Sequence, residues 1–201
     1  MQKINQRIIC IQGFTQSEGK PNGMHKLYLK LRPFSRPDKE IILRPWDANW
    51  DDLAEFIFNT CDHEKLDVRV FAYSWGCGNG FVKLQKALKK RGLPPIKYAV
   101  LSDPVYFRWS RIWRSMCGWI IKPKIDAGNT KEVWWLRQFT NKPQGHDVIG
   151  TGLIHKPVIL EQTHQYMDDS YEFHKMCLAV ANGIGDLNHV QQSLLGKTLD
   201  N

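Results

Sequence analysis

One stretch, Val68-Arg-Val-Phe-Ala-Tyr-Ser-Trp-Gly-Cys-Gly-Asn-Gly80, constrains the fold of this chain more than any other. Val68 to Tyr73 is β-branched and aromatic with a single charge, which predicts a short buried strand. A glycine-punctuated turn follows at once, and a helix-like run begins at Phe81. Ser74 sits at the turn, with Ala72 two places before it and Gly76 two places after. That spacing has a steric reason. Where a strand turns directly into a helix and the tip residue is held in a strained conformation, the flanking positions pass too close for large side chains. A hydroxyl is thereby pushed out of the sheet toward a helix N-terminus, where negative charge is favoured. A glycine-rich turn with a capping serine would show the same residues, so the flanking chain has to separate the two readings.

The flanks read as alternating strands and helices. Arg7 to Gln12 is a first strand, apolar throughout its middle as a central parallel strand should be, and Gly13-Phe14 ends it. Residues 15–39 are rich in glycine and proline and predict a loop, with room for one short element over Lys26–Leu31. Glu40–Arg44 is a second strand. Asp47 or Asn49 then offers an N-cap to a helix with Leu53, Phe56, Ile57 and Thr60 at helical spacing and acidic residues in its early turns. Asp67–Tyr73 is the third strand. The helix after the serine turn carries Phe81, Leu84, Ala87 and Leu88 on one face, and Gly92 closes it. Ile96–Leu101 is a fourth strand ending in Ser102-Asp103-Pro104, Glu132–Phe139 a fifth, and Pro157–Glu161 a sixth with Thr163-His164 beyond it. Residues 140–156 read as loop, and Asp169–Ala181 as a closing helix.

Such alternation implies βαβ units: an α/β fold, a three-layer αβα sandwich around a mainly parallel central sheet, in one domain over residues 1–201. Ligands of such sheets bind at the carboxyl ends of the strands. Gly13, Ser74 and Asp103 all lie at such ends, and His164 follows the last strand.

Composition narrows the class further. No run approaches the about 18 apolar residues of a membrane span, and the opening residues lack a signal peptide's apolar core, so a cytoplasmic protein is expected. The five cysteines are scattered without metal-type spacing and read as reduced thiols, and no metal or other cofactor is expected. The net charge of +8 admits an anionic partner or simple surface solubility. Part of it is concentrated in the segment Tyr106–Lys124, which holds three tryptophans, five basic residues and no acidic one and forms most of an insertion at about 105–130. On a helix, Trp109, Ile112, Trp113, Met116, Trp119 and Ile120 share one face and the arginines take the other. As a lid, the Trp109, Trp113 and Met116 face would pack over Ser74 or meet an apolar ligand. As an interfacial helix it would dip its tryptophans into lipid and leave its arginines to an anionic membrane surface. A surface helix buried on its apolar side is the third reading. No nucleic-acid motif accompanies the arginines, so nucleic acid is not an expected partner.

Nucleophile, then acid, then histidine, at the carboxyl ends of successive strands, is the chain order of the α/β-hydrolase fold. The sequence resembles that superfamily from Ile8 to about Ala181, and looks most like its small lipases and esterases. Gln12-Gly13-Phe14 is similar to the family's His-Gly-Phe type oxyanion loop, with glutamine in place of histidine. Ala72-Tyr-Ser-Trp-Gly76 is similar to the nucleophile elbow, with alanine for the first glycine. Leu101-Ser-Asp-Pro-Val105 resembles the variant whose acid follows the strand after the elbow helix, and Glu161-Gln-Thr-His164 resembles the histidine loop.

The resemblance implies roles. Ser74 would attack an acyl carbonyl, His164 would carry its proton, and Asp103 would orient the imidazole. The backbone N–H groups of Phe14 and Trp75 would hold the oxyanion, and Tyr73 with the Trp109, Trp113 and Met116 face would border the substrate. Asp147 is a rival acid, and His146, His155 and His189 are rival histidines. The expected activity is a cofactor-independent serine esterase acting on simple, lipid or thioesters through an acyl-enzyme, with transfer to an alcohol or amine as a variant. The alternative is a non-catalytic protein of the same fold that uses residues 106–124 to bind a membrane or protein partner.

Overall fold

The computed structural model describes residues 3–14, 16, 21–106 and 123–183. The expected insertion helix, with Trp109, Trp113 and Met116, falls outside the described residues, as does His189.

The strands are β1 Gln6–Ile11, β2 Lys39–Arg44, β3 Asp67–Tyr73, β4 Tyr98–Ser102, β5 Ile125–Asp126, β6 Glu132–Gln138, β7 Val148–Ile149, β8 Leu153–Ile154 and β9 Val158–Leu160. The α-helices are α1 Gly23–Leu31, α2 Trp50–Thr60, α3 Val82–Lys90 and α4 Tyr171–Ala181. Seven strands form one sheet in the order β2-β1-β3-β4-β6-β8, with β9 also pairing β6, and every pairing is parallel. The architecture is therefore α/β with a parallel central sheet. The chain leaves β1 to one side for β2 and returns to the other side for β3. That reversal is a topological switch point, the place where ligands of open parallel sheets bind, and the loops flanking it carry Gly13 and Ser74.

Both faces of the sheet are covered, which is why apolar residues face both ways along its central strands. Ile9 and Ile11 of β1, Val68, Val70 and Ala72 of β3, and Leu101 of β4 point into a core with Leu53, Ala54 and Ile57 of α2 and Leu84 and Leu88 of α3. Ile8 and Cys10, Phe71 and Tyr73, and Val100 point the other way, against Leu27 and Leu31 of α1 and Phe173, Met176 and Val180 of α4. The period of two along each strand sorts the side chains into these two cores. Each fully buried large apolar side chain contributes about 1.5–3 kcal/mol.

Local signals place the helices. Asn22, Asn49 and Ser170 cap α1, α2 and α4, each accepting from a backbone N–H three residues on. The expectation over 15–39 is corrected: the helix begins at Gly23, three residues before Lys26, because Asn22 caps it. On α2 the buried face is Trp50, Leu53, Ala54 and Ile57, whereas Phe56 is exposed and takes the buried Arg7 guanidinium over its ring. The expected loop at 140–156 contains β7, which pairs β5 as a separate two-stranded ribbon, and β8. Among the described residues no helix is long and apolar enough to cross a membrane.

The packing of α4 on α1 has a pH-dependent consequence. His174 is buried, with Nε2 2.9 Å from the Asp168 carbonyl and Nδ1 2.8 Å from Lys30 Nζ. Burial, then the Lys30 charge, hold the imidazole below its ordinary value. The unfolded chain therefore takes up the proton first, and stability is lost as pH falls through about 6.5. His146, also lowered by burial, acts in the same direction. The melting temperature should drop between pH 7 and pH 5, with a shallower slope in His174→Gln, and an equal slope in the two proteins would refute the assignment.

Candidate active site

Ser74 closes the turn between β3 and the helix that follows. It adopts φ 52°, a left-handed conformation that side chains other than glycine rarely take. The chain then enters a π-helical turn, Gly76–Phe81, leading into α3. The strain is held by backbone bonds: Ser74 N–H donates to the Ser102 carbonyl at 3.0 Å, and its own carbonyl accepts from Cys77 and Val105 N–H at 3.0 and 3.1 Å. A Cβ on Gly76 would lie 2.7 Å from the carbonyl oxygens of Ile11 and Gln12, so no side chain fits there. On the opposite lip, a Cβ on Gly13 would lie 2.7 Å from the Tyr73 ring and 3.2 Å from Ser74 Cβ. The loop after β1 is thereby packed directly against the serine.

The three side chains expected at strand ends meet. Ser74 Oγ is 2.9 Å from His164 Nε2, and His164 Nδ1 is 2.6 Å from Asp103 Oδ2. All three residues are buried. The carboxylate can only accept, so Nδ1 carries the proton and Nε2 presents its lone pair to the serine hydroxyl. Asp103 follows β4 with φ 41°, and its carboxylate is surrounded by donors. Oδ1 accepts from Gly145 N–H at 2.9 Å and Gln138 N–H at 3.3 Å, and Oδ2 accepts from Gln138 Nε2 at 3.0 Å besides the imidazole. A Cβ on Gly145 would lie 2.4 Å from Oδ1, so that close approach requires glycine. The same Gln138 amide donates to the carbonyls of Asn141 and Pro143.

His164 is fixed through its backbone as well as its ring. Its N–H donates to Asn141 Oδ1 at 2.8 Å, and its carbonyl accepts from the Tyr73 hydroxyl at 2.7 Å. The Ser102 hydroxyl donates to the Met167 carbonyl at 2.7 Å, anchoring the same segment three residues on. Tyr73, which the sequence placed beside the substrate, is turned into the core. It is buried under the histidine, with ring centroids 5.2 Å apart, and burial followed by the charges of Asp168 and Asp103 pushes its phenol above the ordinary range. Its hydroxyl ties the His164 segment to the end of β3.

The rivals lie elsewhere. Asp147 is exposed and pairs with Arg137 at 2.6 Å. His155 bonds Glu132 at 2.8 Å and stacks on Trp134, and the His146 ring reaches the Tyr106 carbonyl at 3.3 Å. Cys77 is buried with Sγ 3.8 Å from the Ser102 carbonyl, and burial pushes its thiol well above the ordinary range.

Beside Ser74, Trp75 makes an aromatic cluster with Phe14 and Trp46, with ring centroids 4.3 Å from Phe14 and 5.0 Å from Trp46. Phe14 is half exposed, which leaves an apolar face at the carboxyl end of the sheet. Trp46 did not stand out in the sequence, and neither did Gln138, Asn141 or Gly145; Asp168 stood out only as part of the stretch behind His164. Polar residues after a strand end are too common to single out. Among the described residues no cluster of three or more His, Cys, Asp or Glu side chains is arranged to hold a metal ion. Comparison with models of protein families, with curated proteins and with solved structures returned no match.

Proposed function

We propose that this chain is a serine hydrolase that cleaves carboxylic esters, whether simple, lipid or thioester, through an acyl-enzyme on Ser74. The observation that carries the reading is the buried chain from Ser74 Oγ through His164 to Asp103, with bonds of 2.9 and 2.6 Å.

The chemistry follows from that geometry. Ser74 Oγ attacks the carbonyl carbon as its proton passes to Nε2, and the carbonyl π pair moves onto oxygen. The N–H groups of Phe14 and Trp75 would hold that oxyanion, a position supported by the contact of the Gly13 loop with Ser74. One such donor contributes about 2.7–4 kcal/mol of transition-state stabilisation. Collapse expels the alkoxide or thiolate, which takes the proton from Nε2 and leaves as alcohol or thiol. Water then gives a proton to Nε2 and attacks the acyl-enzyme. The second collapse returns that proton to Ser74 Oγ and releases the carboxylic acid. Asp103 stabilises the imidazolium in both halves. Each step uses only side chains and amides of this chain and water.

The same reading takes the fold as an α/β-hydrolase-like three-layer αβα sandwich. It is supported by the chain order of serine, acid and histidine after β3, β4 and β9, and by the left-handed serine at a strand-to-helix turn. The Phe14, Trp46 and Trp75 rings favour an ester with an apolar group. Incubation with a fluorophosphonate, read by intact mass and peptide mapping, should label Ser74 stoichiometrically and leave Ser74→Ala unlabelled. Folded protein that stays unmodified, with detergent or liposomes present as well, would overturn the reading.

A further inference from the structure

We infer that Gln16 and Asp168 are positioning residues of the oxyanion site, clamping the loop after β1 to the segment that carries His164; the inference rests on the reading of Ser74 as nucleophile. Three contacts carry it. Gly13 N–H donates to Gln16 Oε1 at 3.0 Å, Gln16 Nε2 donates to Asp168 Oδ2 at 2.6 Å, and Met24 N–H at the start of α1 donates to that same oxygen at 3.2 Å. The Gln16 amide has one consistent orientation, since a backbone N–H needs an acceptor and a carboxylate needs a donor.

The fixed end of this bridge is firm. Asp168 is 2% exposed and lies four residues after His164, next to Met167, whose carbonyl takes the Ser102 hydroxyl. Its own carbonyl accepts from His174 Nε2 at 2.9 Å. Burial pushes its carboxyl above the usual range, a cost in isolation, and one the ordinary hydrolytic steps give no reason to bear. The free end is Gly13, which packs on Ser74 and precedes the Phe14 amide. Without Gln16, the Gly13 N–H loses its acceptor and the loop its tether to the histidine segment. One segment therefore sets both the base and one lip of the oxyanion site. Oxyanion donors act only if they are preorganised, and a displacement of about 1 Å can cost about 10²-fold.

The test uses the full chain and p-nitrophenyl esters. Gln16→Ala, at a half-buried position, should keep its melting temperature while kcat falls about 10²-fold and KM stays within about two-fold. Affinity for an alkyl trifluoromethyl ketone, whose adduct with Ser74 places an oxyanion in the site, should fall in parallel with kcat. Both donors meet one Asp168 oxygen, so Asp168→Asn can keep both bonds and should lose less kcat than Asp168→Ala. Asp168→Ala should match Gln16→Ala, and the double variant should be no worse than either. Native kcat in folded Gln16→Ala, or a loss in Asp168→Ala that Gln16→Ala does not share, overturns the clamp while Ser74 still labels. A native chain that does not label takes both inference and underlying reading down.

Discussion

Ser74→Ala should lower kcat for ester hydrolysis on the order of 10⁶-fold, with the protein still folded. The effect is large because the serine and the imidazole act as one unit. Without Oγ there is no covalent acceptor, and His164 Nε2, 2.9 Å from the missing hydroxyl, has nothing to activate except water held in the wrong place. Stability should respond to a different property of the same residue. Ser74 is held at φ 52°, and alanine is as ill-suited to that conformation as serine. Ser74→Gly should therefore melt higher than Ser74→Ala, by about 1–2 kcal/mol in stability, although both are inactive. Full activity in Ser74→Ala would end the proposal. Equal stability of the two variants would mean the turn is not strained.

Asp103→Asn should lower kcat by about 10⁴-fold with little change in KM. The carboxylate accepts at both oxygens, from Gly145 and Gln138 N–H at Oδ1, and from Gln138 Nε2 and His164 Nδ1 at Oδ2. Asparagine has one acceptor end. If its NH₂ group faces the imidazole, Nδ1 must become the acceptor and the proton moves to Nε2, where it points at Ser74 and the base is lost. If the NH₂ group faces Gly145 and Gln138 instead, buried amide donors are left unsatisfied at about 1–3 kcal/mol each. The crowding at Gly145 leaves no room to relax. Steady-state kinetics and a thermal melt separate the two orientations, and the loss in kcat with a modest fall in melting temperature is the expected pair. Turnover within about ten-fold of native would show that Asp103 does not orient His164.

Much of this was legible in the chain because it depends on near neighbours in sequence. The third strand over 67–73, the serine turn with its small flanks and the Gly92 stop after α3 all follow from local sterics and periodicity. Their failures are local too. The start of α1 was missed because Asn22 lies among glycine and proline, and the two-residue strands near 148 and 153 are too short to show any period.

The α/β class and the order in which a serine, an acid and a histidine reach strand ends could be read from residue pattern alone. Residue patterns set strands and helices, and a parallel sheet collects its strand ends on one edge. Tertiary packing alone brought Asp103 and not Asp147 against His164, buried Tyr73 beneath the histidine, gathered Gln138 and Gly145 around the Asp103 carboxylate and set Asn141 against the His164 N–H. It alone joined Gln16 to Asp168, 152 residues apart. The physical reason is one of direction and distance: a pattern places a residue at a strand end, but the register and packing of distant segments decide where its polar atoms point and what they meet.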